Sequence, residues 1–313
     1  MIVKLDEAVK LLKNHEVVAV PSETVYGLAA SISSPTAIRK IFTLKGRPAV
    51  NPLIVHFSSL KEVLEYVILD PKLLCYLERM WPGPLTIVAP LKKPLDTAIT
   101  AGLKTLAVRI PRHPVFLELI RQAGPLAAPS ANRSGLPSAT RVWHIEKDYN
   151  SLVPIVEGDP PTHGLESTIL IQKEGYLEIG RLGATSVDLL REDLPIFESK
   201  TPLEAPTCPG QLFRHYSPAC FLSSQLSETT EALVGFIDVE YHSPLPLYSL
   251  GSIKNPIEIA QNLYEILRLL DQDQIKEAFV DLDFPSCGLY APIKERLSRA
   301  LVKKPNPQGG IHV

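Results

Sequence analysis

The sequence predicts a two-domain α/β protein. A twisted mixed-sheet domain spans residues 1–199, a proline-rich connector spans 200–218, and a smaller, Rossmann-like α/β domain spans 219–313. Three observations carry this. The chain has 313 residues, beyond the size at which one hydrophobic core usually stops growing. Short β-branched runs alternate with stretches of helical apolar spacing. Pro202, Pro206, Pro209, Gly210 and Pro218 then crowd one short stretch, the density of an extended connector. With 45% apolar and 21% charged residues, the chain has ordinary globular composition and can bury a sizeable core.

In order along the chain, Leu5, Ala8, Val9 and Leu12 share one helical face. Residues 17–20 form a β-branched run stopped by Pro21, which reads as a buried strand. Ser34-Pro35 is a helix start, a capping hydroxyl followed by proline in the first turn. Ile38, Ile41 and Phe42 give that helix its apolar face and Gly46 ends it. Strands are expected at 53–57, 85–89, 105–110, 125–128, 152–156, 167–171 and 176–179, with a helix over 115–122. In the second unit, strands at 232–239, 245–250 and 279–282 accompany a helix with the stripe Ile257, Ala260, Leu263, Tyr264, Leu267 and Leu270. A last helix spans 293–301, and the polar tail 303–313 is expected to fray.

Net charge is −2 and Lys/Arg-rich runs are missing, which argues against bulk attraction to nucleic acid or an acidic membrane. Cys75, Cys208, Cys220 and Cys287 are too far apart for zinc-finger spacing and read as scattered reduced thiols. Lys4, Lys10 and Lys13 are mixed with Asp6 and Glu7, unlike a secretory signal. No apolar run reaches the ~18 residues of a membrane span. A cytoplasmic protein with no membrane partner is expected.

Neither Gly-x-x-x-x-Gly-Lys-Ser/Thr nor Gly-x-Gly-x-x-Gly occurs, so a nucleotide needs another device. Five segments are candidates. Pro21-Ser22-Glu23-Thr24-Val25-Tyr26-Gly27-Leu28 follows a strand, where ligands collect in α/β folds, but also reads as a solvated loop. Lys45-Gly46-Arg47-Pro48, followed by Asn51-Pro52-Leu53-Ile54-Val55-His56, offers a point charge and a planar fork to phosphate oxygens. Its alternative is a cationic complement to a helix C-terminus, and His56 also reads as a core histidine. In Thr105-Leu106-Ala107-Val108-Arg109-Ile110-Pro111, Arg109 is either a partnered buried charge or faces water on an edge strand. Ala128-Pro129-Ser130-Ala131-Asn132-Arg133-Ser134-Gly135 holds small polar groups that suit phosphate or ribose, and that turns also use. Leu165-Glu166-Ser167-Thr168 and Ile179-Gly180-Arg181-Leu182-Gly183 supply an arginine that closes a phosphate site or sits in an exposed turn.

Together and in this order, the five segments resemble the YrdC-like family. The C-terminal extension resembles its long two-domain form, the threonylcarbamoyl-AMP synthases, and the resemblance covers nearly the whole chain. It rests above all on Ser22-Glu23-Thr24-Val25-Tyr26-Gly27-Leu28, Lys45-Gly46-Arg47-Pro48 and Pro129-Ser130-Ala131-Asn132. It implies a nucleotidyltransferase, an L-threonylcarbamoyladenylate synthase, that joins L-threonine, bicarbonate and ATP and releases pyrophosphate. A separate transferase complex then carries the threonylcarbamoyl group to N6 of adenosine 37 in tRNAs decoding ANN codons, so direct tRNA binding is not required. The resemblance implies a catalytic tetrad of Lys45, Arg47, Ser130 and Asn132. It implies threonine contacts at Thr24, His56, Arg109, Ser130 and Ser167. It implies ATP contacts at Arg47, Asn51, Thr105, Asn132, Thr140 and Arg181, with His215 and Tyr216 contributed by a connector that folds over the site. Mg²⁺ is expected on the ATP phosphates, with no protein metal ligand.

The chain departs from the family where Cys208-Pro209-Gly210-Gln211-Leu212-Phe213 replaces the usual Ser-Pro-Gly-Met-Lys-Tyr, and where Arg181-Leu182-Gly183 replaces Arg-Pro-Gly. Two other readings compete. One is a non-enzymatic RNA-binding YrdC-like module, which the net charge opposes. The other is a carbamoyltransferase of the hydrogenase-maturation type, whose paired zinc cysteines this chain lacks.

Overall fold

The computed structural model describes residues 1–48, 50–191, 194–198, 208 and 216–301. The first domain holds β1 (Ile2–Val3), β2 (Val18–Val20), β3 (Gly27–Ser31), β4 (Ile54–His56), β5 (Leu85–Pro90), β6 (Thr105–Arg109), β7 (Leu126–Ala127), β8 (Ile155–Val156), β9 (Thr168–Gln172), β10 (Leu177–Arg181) and β11 (Ile196–Phe197). They form one sheet in the order β1-β8-β2-β3-β7-β4-β6-β5-β9-β10-β11. Pairs such as β4/β6 and β5/β9 are parallel, whereas β2/β3, β3/β7, β5/β6 and β9/β10 are antiparallel, so the sheet is mixed, as expected.

Both faces of this sheet are covered, which is why its strands read as continuous apolar runs. Val18 and Val20 pack under helices Leu5–Lys13 and Pro114–Ala123, while Ala19 faces the larger core on the other side. The helix start at Ser34 forms as read: its hydroxyl accepts from Ala37 N at 3.2 Å. Gly46 ends helix Pro35–Lys45 at φ 60°, a conformation that costs glycine nothing.

Some elements differ from expectation. The segment read as a loop over 21–28 runs into β3, whose five residues are all buried. Gly27-Leu28-Ala29-Ala30-Ser31 has weak intrinsic strand preference, but it lies between β2 and β7, where pairing and burial decide. Helices Leu60–Tyr66, Pro71–Met80 and Val142–Tyr149 were not expected. The strand expected at 152–156 shrinks to β8 and leaves Leu152 exposed.

The second domain is a parallel sheet of β12 (Phe221–Ser223), β13 (Ala232–Gly235), β14 (Leu247–Ser249) and β15 (Glu277–Val280), in the order β12-β15-β13-β14. The strand expected at 232–239 stops at Gly235, and β12 was not expected. Helix Pro256–Gln272 buries Ala260, Leu263, Tyr264, Leu267 and Leu270, whereas Ile257 sits exposed in its first turn. Helix Tyr290–Ala300 completes this core, into which Val25 and Leu165 of the first domain also pack. No described helix is long and apolar enough to cross a membrane. The connector expected over 200–218 lies outside the described residues except for Cys208 and residues 216–218; the tail 303–313 lies wholly outside them.

Candidate active site

A solvent-open cleft lies over β4 and the loops around it. Alternation along β4 makes its floor: Val55 points into the main core, while Ile54 and His56 line the cleft. The parallel register of β4 and β6 sets His56 beside Arg109. Of the residues singled out in the sequence, Thr24, His56, Arg109, Ser130, Ser167, Arg47, Asn132, Arg181 and Tyr216 all line this one cleft.

One half is built around Arg109, which is 3% exposed. Its Nη2 pairs with Glu23 Oε1 at 2.6 Å, its Nη1 donates to Thr24 Oγ1 at 3.0 Å, and its Nε donates to Gly83 O at 3.1 Å. The edge-strand alternative is thereby excluded, and Glu23 is a site residue that the sequence did not reveal. Burial raises the Glu23 carboxyl, but the Arg109 charge and hydrogen bond outweigh it and hold the group at about 2. Five guanidinium N–H groups less these three bonds leave two for a ligand. Across the cleft, Ser167 Oγ shares a hydrogen bond of 2.8 Å with Thr86 Oγ1.

The other half carries Arg47 and Arg181. Arg47 donates to Asn51 O at 3.2 Å and Pro52 O at 2.8 Å; Arg181 donates to Ser167 O at 2.9 Å. Burial and the like charge of Arg181 pull Arg47 down to about 9, so the two cations repel across the cleft. Gly183 lets the Arg181 turn close against Ser167: an added Cβ would lie 2.3 Å from Glu166 O. Between the halves, Ser130 Oγ donates to Asn132 Oδ1 at 2.5 Å, and Asn132 Nδ2 donates to Arg133 O at 2.8 Å and Leu136 O at 2.9 Å.

Lys45 and Arg47, read in the sequence as a phosphate clamp or a complement to a helix C-terminus, make different contacts on either side of the left-handed turn at Gly46. The Lys45 ammonium is buried behind the loop and donates to the carbonyls of Ser130 and Asn132. Burial, with Arg47 nearby, holds its pKa well below the ordinary lysine value. Lys45 therefore shapes the cleft from behind without lining it.

Asn51, Thr105 and Thr140 do not line the cleft either. Asn51 and Thr140 are buried, and Asn51 Oδ1 and Thr140 Oγ1 have no hydrogen-bond partner among the described residues. Thr105 opens β6, at the opposite end from Arg109. His215 lies outside the described residues. The sequence also did not reveal Ser138 and Glu166 as cleft residues; Ser138 Oγ donates to Glu166 Oε1 at 2.5 Å. A buried carboxylate next to Ser167 was the available signal.

His56 is held at about 3 by burial and then by Arg109, and His144 at about 4 chiefly by burial, so both are neutral at pH 7. Unfolded histidine titrates near 6.5, so below that pH the unfolded chain binds protons the fold refuses, and stability falls as pH falls. Urea midpoints are expected to drop between pH 6.5 and 4.5, at about 1.4 kcal/mol per pH unit for each such histidine. His56→Gln should reduce the slope. A flat profile over that range would contradict these assignments.

A family model described as "Telomere recombination", covering the Sua5, YciO and YrdC proteins, matches residues 10–183. A second, described as "Threonylcarbamoyl-AMP synthase, C-terminal domain", matches residues 185–301. The threonylcarbamoyl-AMP synthase of Bacillus subtilis is 34% identical over 95% of this chain and 92% of its own length. That of Pyrococcus abyssi is 32% identical over 95% of this chain and 94% of its own. The crystal structure of P. abyssi Sua5 complexed with L-threonine has a TM-score of 0.86 and 30% identity, covering 96% of this chain and 97% of that one.

Proposed function

This chain belongs to the Sua5, YciO and YrdC family, and from that membership we propose that it is a threonylcarbamoyl-AMP synthase. It makes L-threonylcarbamoyl-adenylate from L-threonine, bicarbonate and ATP, releases pyrophosphate, and so serves N6-threonylcarbamoylation of tRNA. The observation that carries the reading is the pairing, in one cleft, of an arginine held by a carboxylate with two mutually repelling arginines. The first suits an amino-acid carboxylate, which meets the two free N–H groups of Arg109. The second suits a polyanion, which relieves the repulsion between Arg47 and Arg181.

The threonine amine attacks carbon dioxide and gives up a proton, or condenses with bicarbonate and releases water, to form a carbamate. A carbamate oxygen then attacks the α-phosphorus of ATP, and the bond to the β-phosphate breaks as pyrophosphate leaves. This nucleotidyl transfer depends on positioning and charge stabilisation. Arg47 and Arg181 oppose the charge that builds on pyrophosphate. Thr24, Ser167 and the neutral imidazole of His56 address the threonine hydroxyl and amine. Ser130 and Asn132, tied together at 2.5 Å, hold the junction where carbamate meets phosphate. Mg²⁺ is assigned to the ATP phosphates: among the described residues the one carboxylate lining the cleft, Glu166, is occupied by Ser138, Tyr264 and Arg296. Transfer to tRNA by a separate complex and a cytoplasmic location complete the proposal.

Pyrophosphate release is the test. It is expected to require threonine and bicarbonate together, with the adenylate detected by mass. ATP turnover indifferent to threonine would sink the proposal, and salt-dependent RNA binding without such turnover would favour an RNA-binding module.

A further inference from the structure

The second domain reaches the cleft through two buried arginines, each fixed on a loop that carries a cleft residue. Arg268, on helix Pro256–Gln272, pairs with both oxygens of Asp148, at 2.9 and 2.8 Å, and donates to Pro137 O at 2.6 and 3.1 Å. Asp148 in turn accepts from Arg133 N at 3.2 Å. One ion pair thus pins residues 133 and 137, the loop whose carbonyls hold the Asn132 amide. Arg296, on helix Tyr290–Ala300, pairs with Glu166 at 3.3 Å and donates to Leu182 O at 2.8 Å. These contacts bracket Ser167 and Arg181, which are bonded to each other. Tyr264 OH donates to the same Glu166 carboxylate at 2.9 Å, and its ring stacks on Tyr216 at 5.5 Å.

The Arg109 side chain has different partners: Glu23, Thr24 and Gly83 all belong to the first domain, and His56 rests on Phe116 at 4.9 Å. The second domain meets this half through the packing of Val25 into its core and through Gln261, which donates to Thr162 O at 2.6 Å, and not through Arg268 or Arg296. Ser167 keeps its own bond to Thr86.

We infer that Arg268 and Arg296 are positioning residues for the ATP half of the cleft, and that through these two side chains the second domain clamps the loops bearing Asn132 and Arg181. This rests on the reading of Arg47, Asn132 and Arg181 as the phosphate side. Rate and affinity in phosphoryl chemistry depend on sub-ångström placement, so a slack loop is costly even when every group survives. Arginine fits this role because its fork grips a carboxylate and a carbonyl at once; lysine keeps the charge but not the fork.

The experiment uses the full chain with Arg268→Lys and, separately, Tyr264→Phe, which removes one hydroxyl. Steady-state KM for ATP is read by pyrophosphate release, and the threonine dissociation constant by calorimetry without ATP. KM for ATP is expected to rise about tenfold in Arg268→Lys, with threonine affinity within about twofold of the parent, and Tyr264→Phe should show the same split in smaller measure. If threonine binding weakens in step with ATP, the domain is only a general support and the inference is overturned. It is equally overturned if KM for ATP does not move in either variant. Should Arg268→Lys not fold, Tyr264→Phe decides alone. A parent chain that releases no threonine-dependent pyrophosphate refutes the functional reading itself, a result distinct from either failure.

Discussion

Arg109→Ala is expected to destabilise the fold by about 3–5 kcal/mol and to abolish threonine binding. The stability loss comes from Glu23. With Arg109 present, the pair is 2.6 Å apart and both side chains are nearly dry. Removing the cation leaves a buried carboxylate with no compensating charge. Glu23 Oε2 already has no hydrogen-bond partner among the described residues, so the Arg109 side carries the compensation. Against a total stability of about 5–15 kcal/mol for an ordinary domain, the effect is large enough to read from urea midpoints. Glu23→Gln on the Arg109→Ala background removes the stranded charge and should restore part of the stability but none of the threonine binding. An Arg109→Ala chain as stable as the parent would refute the pairing.

The same pair makes a prediction about acid. The Glu23 pKa is depressed in the fold, to about 2 from 4.5. Its contribution is therefore fully present above about 4.5 and is lost as pH falls through 2, a total of about 3 kcal/mol. This window lies below the histidine window, so the two can be separated in one titration. Glu23→Gln should flatten the profile below pH 4.5 and leave the slope between 6.5 and 4.5 unchanged.

What could be read from the sequence was what local chemistry decides. Ser34-Pro35 and Gly46 bracket a helix whose ends need no distant partner. The segments carrying Thr24, Arg47, Arg109, Ser130 and Ser167 were readable as candidates because charge and small polar groups interrupt apolar runs. What each side chain does was less readable, because it is set by partners far along the chain. Glu23 lies 86 residues from Arg109, and Glu166 lies 130 from Arg296. Lys45 and Arg47 are two residues apart, yet Lys45 ties to the carbonyls of Ser130 and Asn132, 85 and 87 residues downstream, while Arg47 ties to those of Asn51 and Pro52 nearby. Helix Pro71–Met80 shows the opposite case: Asp70 caps it through Lys72 N, followed by proline in the first turn, a start signal as local as that of Ser34-Pro35. β3 was unreadable for a physical reason, since a run of glycine, alanine and serine forms a strand only when neighbours on both sides demand it.

Arg47→Ala is expected to separate activity from stability, the reverse of Arg109→Ala. In phosphoryl and nucleotidyl transfer the protein supplies mainly fixed positive charge, and removing one preorganised donor costs about 10²–10³ in rate, or ~3–4 kcal/mol. A loss of that size in kcat/KM for ATP is expected. The fold should hardly respond. Arg47 is half-buried, its carbonyl partners Asn51 and Pro52 can be served by water, and its removal relieves the repulsion from Arg181. Midpoints within ~1 kcal/mol of the parent are expected. Arg181→Ala must behave differently, because Arg181 also grips Ser167 through both its carbonyl and its hydroxyl. It should lower affinity for ATP and threonine together. A double-mutant cycle over Arg47 and Arg181 then measures their coupling: if both arginines oppose charge on the same leaving group, the second substitution costs less than the first. Strict additivity would mean that they act on different groups, and unchanged activity in Arg47→Ala would remove the phosphate side from this cleft.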